Sequence, residues 1–253
     1  MNNREKIQKE ALELTLSHKR CGLGISMGVG KTRIAIQHLI KNYHDEINVL
    51  VVIPKKSVMQ SWMDELDKVN FMNEDDLENH ITFVTYLSIN KCDPELYDIV
   101  YLDECHSLLN SHKGFLDAFN GKILGLTGTP PTNKGSEKYD MVTKYCPIIY
   151  KFSVDDATDS KILNDYEYLT GRYEQASTNK SLQFAAIMRM RGLMDYTTKE
   201  DYLKGILANV KDKCIIFANT QKQADKVCSH SYHSGNSKSD ENLELFSDGR
   251  IDK

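Results

Sequence analysis

Gly28-Val29-Gly30-Lys31-Thr32 sets two glycines, a lysine and a hydroxyl side chain in one short run. Backbone N–H donors, one ammonium and a hydroxyl are what a nucleoside triphosphate with its Mg²⁺ asks of a protein. Gly28 and Gly30 let the backbone close on the phosphates, Lys31 reaches the β and γ groups, and Thr32 ligates the metal, with Met27, Val29 and Arg33 completing the loop. The general pattern G-x-x-x-x-G-K-[ST] asks for one more glycine where this chain has Ile25, so the run also reads as a glycine turn that happens to end in Lys-Thr. A second chemical pair, Asp103-Glu104, closes the apolar run Ile99-Val100-Tyr101-Leu102. Phosphoryl transfer to water needs one carboxylate on the metal and another group to position or deprotonate the water, roles that suit Asp103 and Glu104 respectively. Taken alone, an Asp-Glu pair after a strand is more often the cap and first turn of a helix.

Elements must carry these groups. Gly22–Ile25 is a short apolar run before the loop, and Arg33–Ile40 reads as the helix after it. Val49–Ile53, Ile81–Val84, Ile99–Leu102, Ile123–Leu126 and Cys214–Phe217 are apolar runs that look like buried strands, and NVLVVIP and DIVYLDE are continuous in the way of strands buried on both faces. Separated by helical or loop segments, they predict an α/β fold with a parallel sheet. The first domain is expected to span 1–150, and 151–200 to form a strand and helix connecting to a second α/β unit in 201–253. That unit reads as helix Tyr202–Val210, strand Lys213–Phe217 and helix Gln221–Cys228. Roughly fifty residues are too few for a typical domain, so the second unit is expected to be partial.

The 253 residues are 40% hydrophobic, enough for a buried core, and no apolar run suggests a membrane span or signal peptide. The six cysteines lack C-x-x-C spacing, which argues for reduced thiols in a cytoplasmic protein rather than a disulfide framework or a zinc site. A net charge of −4 offers no global attraction to nucleic acid. Residues 1–60, with ten Lys or Arg against five Asp or Glu, leave room for a local basic surface.

In order and spacing, Gly28-Val29-Gly30-Lys31-Thr32, Asp103-Glu104-Cys105-His106 and Leu126-Thr127-Gly128-Thr129-Pro130 resemble motifs I, II and III of the superfamily 2 DExH helicases and translocases. That family's motif I commonly lacks the first glycine, which accounts for Ile25. The resemblance implies a RecA-like phosphate-loop domain followed by a second RecA-like domain, with ATP and Mg²⁺ as ligands. Residues 52–66, VIPKKSVMQSWMDEL, resemble motif Ia, with Pro54, Lys55 and Ser57 at its nucleic-acid contact, and its Gln-Ser-Trp-x-x-Glu arrangement looks like the restriction-type and double-strand DNA translocase branches. Phe83–Ile89 resembles the next contact segment, which makes Thr85 a phosphate contact. Contacts of that kind carry little sequence preference. Lys55 and Ser57 read equally well as a solvated turn, and Trp62 is read as core.

Gln8 stands where the family often reads the adenine edge, and His106, Thr127 and Thr129 where it couples hydrolysis to the nucleic-acid groove. Residues 213–227 resemble motif IV, whereas motifs V and VI, with the arginine that reaches the γ-phosphate, have no counterpart. The resemblance thus implies an ATP-dependent motor on DNA, with RNA open. It also implies that this chain binds ATP with poor turnover until a second motor domain or a partner supplies the arginine. The competing expectations are a nucleotide-gated binding or regulatory module without motor activity and, more weakly, a phosphate-loop kinase.

Overall fold

The computed structural model describes residues 2–68, 74–164, 213–218 and 220–251. The chain divides into two compact units, Met1–Glu167 and Tyr168–Lys253.

In the first unit, helix α1 (Asn3–Leu16) starts at a capping box: the Asn2 side chain accepts from the Glu5 N–H while the Asn2 N–H donates to Glu5. Its buried residues Gln8, Ala11, Leu12 and Thr15 follow helical spacing along one stripe. There follow β1 (Arg20–Ile25), α2 (Lys31–Asn42), β2 (Val49–Ile53), α3 (Val58–Leu66), α4 (Glu74–Asn79), β3 (Ile81–Thr85) and β4 (Ile99–Asp103). Then come α5 (Lys113–Ala118), β5 (Lys122–Thr127), α6 (Glu137–Tyr145), β6 (Ile148–Phe152) and α7 (Val154–Asp159). The six strands form one parallel sheet in the order β3-β2-β4-β5-β1-β6.

Helices cover both faces of the sheet, so the central strands are apolar throughout rather than alternating. Val49, Val51, Ile53, Ile99 and Tyr101 point into a core shared with Ala11 of α1, Ile34 and Leu39 of α2 and Trp62 of α3. Leu50, Val52, Val100 and Leu102 point the other way, against Phe115 and Leu116 of α5 and Met141, Val142 and Tyr145 of α6. Each such side chain taken from water contributes about 1.5–3 kcal/mol, and a one-residue slip in register would exchange the two sets. Parallel strands in this arrangement, with a glycine loop between β1 and α2, make the first unit a RecA-like phosphate-loop fold. Among the described residues no helix is long and apolar enough to cross a membrane, and all six cysteines are free thiols.

In the second unit the described helices are Gln221–Val227, capped by Thr220 through the Gln223 N–H, and Ser239–Ser247. Asp225 of the first helix accepts a hydrogen bond from Ser231 and pairs with His233 at 2.8 Å. Residues 213–218 form no strand, which corrects the strand expected over Lys213–Phe217. An apolar run becomes a strand only where a neighbour takes up its backbone groups, and periodicity says nothing of that neighbour. The helix expected over Tyr202–Val210 and most of the expected 151–200 connection lie outside the described residues.

Candidate functional site

The order β4-β5-β1 sets the carboxyl ends of three strands side by side, and register brings Asp103 level with Leu126 and Gly24 level with Thr127. In an open parallel sheet this edge is where ligands bind. From β1 the chain turns into α2 through Gly28 (φ 80°) and Gly30 (φ 101°), both in the left-handed region. A Cβ at Gly30 would strike the Gln8 amide, and one at Gly28 would approach Leu163 to 2.9 Å. Any residue with a Cβ would be strained on this path. Gly30 is the N-cap of α2 and offers no side chain, so the first N–H groups of a twelve-residue helix face outward with the positive end of its dipole.

A cleft of about 700 Å³ opens here. Its walls bring together Met27, Gly28, Gly30, Lys31 and Thr32 from the loop and Asp103 and Glu104 from the end of β4. Gln8 and Arg33 lie on the same wall system. Val29 does not line it: its side chain is fully buried, and its carbonyl accepts the Gln8 Nε2 hydrogen bond at 2.7 Å. Gln8 thereby braces the loop with one of its donors. Arg33 is paired with Glu65 of α3 at 3.1 Å.

The acid pair gives no side-chain cap to an α-helix, although the Glu104 carbonyl accepts from the Ser107 N–H at 2.8 Å. Asp103 is the last residue of β4, and Glu104 has left-handed backbone angles (φ 51°, ψ 55°) with no side-chain capping hydrogen bond, at the start of a single 3₁₀ turn, Cys105–Ser107. A non-glycine residue held in that region is costly and clusters at functional sites. The bend turns the Glu104 carboxylate to 4.0 Å from Lys31 Nζ and 3.2 Å from His106 Nδ1. His106 Nδ1 also lies 2.8 Å from Thr127 Oγ1 and 3.3 Å from Thr129 Oγ1, and the Thr129 N–H donates to Thr127 Oγ1 at 3.1 Å. Four residues from two strand ends thus form one polar cluster.

Asp103 continues the Ile99 and Tyr101 face and is 7% exposed. Trp62 Nε1 donates to its Oδ2 at 2.9 Å, and the Tyr86 hydroxyl donates to its carbonyl at 2.9 Å. Burial raises the Asp103 carboxyl above the usual range, against the Trp62 hydrogen bond and the Lys31 charge, which lower it. A buried acid in that condition gains from a cation. Among the described residues no three His, Cys, Asp or Glu converge on a metal position by themselves. Mg²⁺ is ordinarily held by a carboxylate or two together with substrate phosphates and water, and Asp103 beside Thr32 presents a donor set of that kind.

The remaining candidates lie farther along the same edge, at β2 and β3, where Ile53 pairs with Thr85. Lys55 and Ser57 are exposed, and Pro54 and Thr85 half-buried. Trp62 is core, 1% exposed and packed edge-on against Phe83. Its hydrogen bond to Asp103, the Tyr86 bond and the Glu65 partner of Arg33 escaped sequence reasoning. The signal for Trp62 and Glu65 is the Gln-Ser-Trp-x-x-Glu segment, whose Trp and Glu stand one helical turn apart on α3; Tyr86 has no such signal.

Residues 3–132 match the family described as type III restriction enzyme, res subunit. The chain is 25% identical over 226 residues to the DNA 3'-5' translocase XPB2 of Sulfurisphaera tokodaii, covering 81% of this chain and 49% of that protein. It is 30% identical over 145 residues to QP509L of African swine fever virus, whose name carries an inferred ATP-dependent RNA helicase activity, covering 50% of this chain and 28% of that protein. It therefore spans about half the length of the first relative and under a third of the second. The SWI2/SNF2 ATPase core of Sulfolobus solfataricus in complex with dsDNA is similar over 55% of this chain and 34% of that one, at 21% identity and a TM-score of 0.42.

Proposed function

Because the chain belongs to the type III restriction enzyme res subunit family, within the superfamily 2 DExH helicases and translocases, we propose that it is the ATP-binding part of a nucleic-acid motor. ATP hydrolysis at the cleft would drive translocation along DNA or separation of its strands. The observation that carries this reading is the meeting of the phosphate loop, Asp103-Glu104 and the Thr127–Thr129 segment at neighbouring strand ends, with Lys31 4.0 Å from Glu104.

The loop N–H groups and Lys31 bind the triphosphate, and Gln8 holds the loop through Val29 while standing near enough to meet the base. Thr32 and Asp103 would hold Mg²⁺, which when bound neutralises charge on the phosphates. Glu104 orients the attacking water and accepts its proton. His106 ties Glu104 to Thr127 and Thr129. Lys55, Ser57 and Thr85 contact the nucleic-acid backbone. DNA is favoured by the Gln60-Ser61-Trp62-x-x-Glu65 segment and by the name of the translocase relative. An arginine from a second motor domain or a partner completes the site, and closure of two domains over the strand is biased by the γ-phosphate.

The test is ATP turnover with single-stranded DNA, duplex DNA or RNA. Turnover by the 253-residue chain is expected to stay low until an arginine-bearing motor domain is supplied, then to rise more with DNA than with RNA. ATP binding without polymer-dependent turnover in either form would make the protein a nucleotide-gated binding module instead.

A further inference from the structure

The residue assigned to the metal is held from both faces of the sheet, its carboxylate from one and its backbone carbonyl from the other. Trp62, from the α1–α3 side, donates through Nε1 to Asp103 Oδ2 at 2.9 Å. Tyr86, from the α5–α6 side, donates to the Asp103 carbonyl at 2.9 Å. Both partners are nearly removed from water, at 1% and 7% exposure, so no solvent molecule readily replaces either bond. Engaging one carboxylate oxygen fixes the rotation of the group about its last bond, which decides where its other oxygen can meet a cation. Second partners of this kind commonly tune metal affinity 10–100-fold in other proteins.

Where the two partners stand in the chain adds to their meaning. Trp62 is on α3, whose N-cap is Ser57, directly after the Lys55 turn. Tyr86 follows Thr85 at the end of β3. The two hydrogen bonds to Asp103 therefore come from the two segments that carry the nucleic-acid candidates, Lys55 and Ser57 exposed before α3 and Thr85 half-buried before Tyr86.

Resting on the reading of the cleft as a nucleotide–Mg²⁺ site, we propose that Trp62 is the positioning residue of Asp103 and that, with Tyr86, it links metal binding to the segments that meet nucleic acid. Linkage then runs in both directions: DNA changes the Mg²⁺ affinity of the nucleotide complex, and Mg²⁺ changes the affinity for DNA by the same factor.

The chain has a single tryptophan, so its emission comes from Trp62 alone and senses the surroundings of this contact. The experiment titrates Mg²⁺ into the full chain with a fluorescent, non-hydrolysable ATP analogue, with and without a short DNA duplex, for the unaltered protein and for Trp62→Phe, which keeps a ring against Tyr101 and Phe83. Expected is a Mg²⁺ midpoint about tenfold higher in Trp62→Phe, the order set by losing a hydrogen bond to a charged group. Metal-free analogue affinity should stay within about twofold, and the DNA-induced shift in midpoint should shrink. An unchanged midpoint and an unchanged DNA shift in Trp62→Phe would overturn the inference while leaving the nucleotide site intact. Failure of the unaltered chain to bind the analogue would overturn the parent reading and this one with it. Should Trp62→Phe not fold, the emission of Trp62 in the analogue-bound protein decides. A change on adding Mg²⁺ that is lost in Asp103→Asn supports the link, and constant emission in the unaltered chain overturns it.

Discussion

The carboxyl edge of the sheet has two unlike halves. At β1, β4 and β5 the functional side chains are tied to one another: Glu104 to Lys31 and His106, His106 to the two threonines, Asp103 to Trp62, Gln8 to the loop. At β2 and β3 the corresponding positions are freer: Lys55 and Ser57 stand exposed just beyond buried β2, and Thr85 is half-buried at the end of a partly buried β3. The first half is arranged without a ligand, the order that the proposed chemistry on a phosphate would need. The second presents charge and hydroxyl groups to whatever polymer lies on the surface, which suits contacts that follow a backbone without reading bases.

That contrast can be broken in graded steps. Glu104→Gln should have the largest effect, a loss of about 10³-fold in nucleic-acid-stimulated turnover with nucleotide affinity nearly unchanged; turnover near the unaltered rate would remove Glu104 from its role. Acid comes next. His38 on α2 lies under this half of the edge, 2.8 Å from the Tyr101 hydroxyl, and burial, then the nearby Lys122 charge, lowers its pKa from 6.5 to about 4. The unfolded chain therefore binds a proton that the folded one refuses between those values. Stability is full above about pH 6.5 and falls by on the order of 3 kcal/mol as pH drops through the window. Denaturant melts of the unaltered chain and of His38→Gln across that range should diverge, and parallel curves would show that His38 is not the group responsible.

Gly30→Ala should cost roughly 1–3 kcal/mol, from its left-handed backbone and from the collision with Gln8. Calorimetric unfolding would show it, and an unshifted transition would mean the loop can take another path. Lys55→Ala is the mildest change. DNA affinity should fall a few-fold, equally for unrelated sequences, with the salt dependence reduced by about one counterion, while ATP affinity stays put. Sequence-selective loss in filter binding would contradict the assignment of Lys55 to the backbone.

Much of the edge was legible in the residues. Apolar runs located β2, β4 and β5, since burial on both faces leaves no alternation to confuse them, and located the partly buried edge strand β3 as well; Lys31–Asn42 forms the expected helix with a few more residues. The end of the sheet was harder to see, because β6 is only partly buried, with Lys151 exposed within it, and its apolar signal is weak. The left-handed bend at Glu104 has no local signature: glutamate is a poor residue for that conformation, and only the surrounding fold imposes it. The bond between Trp62 and Asp103 joins residues far apart in the chain, and depends on β2 pairing beside β4 so that α3 lies over the end of β4. Apolar spacing identified Trp62 as core and could not say which polar group its N–H would find.

The most direct test of the central claim is the affinity of the 253-residue chain for ATP with Mg²⁺ by titration calorimetry, beside Lys31→Ala. The account predicts one site per chain in the unaltered protein and a loss of at least about tenfold in the variant, since Lys31 is the cation facing the phosphates. Equal affinity in the two proteins, or no binding by either, would contradict the assignment of this cleft to the nucleotide.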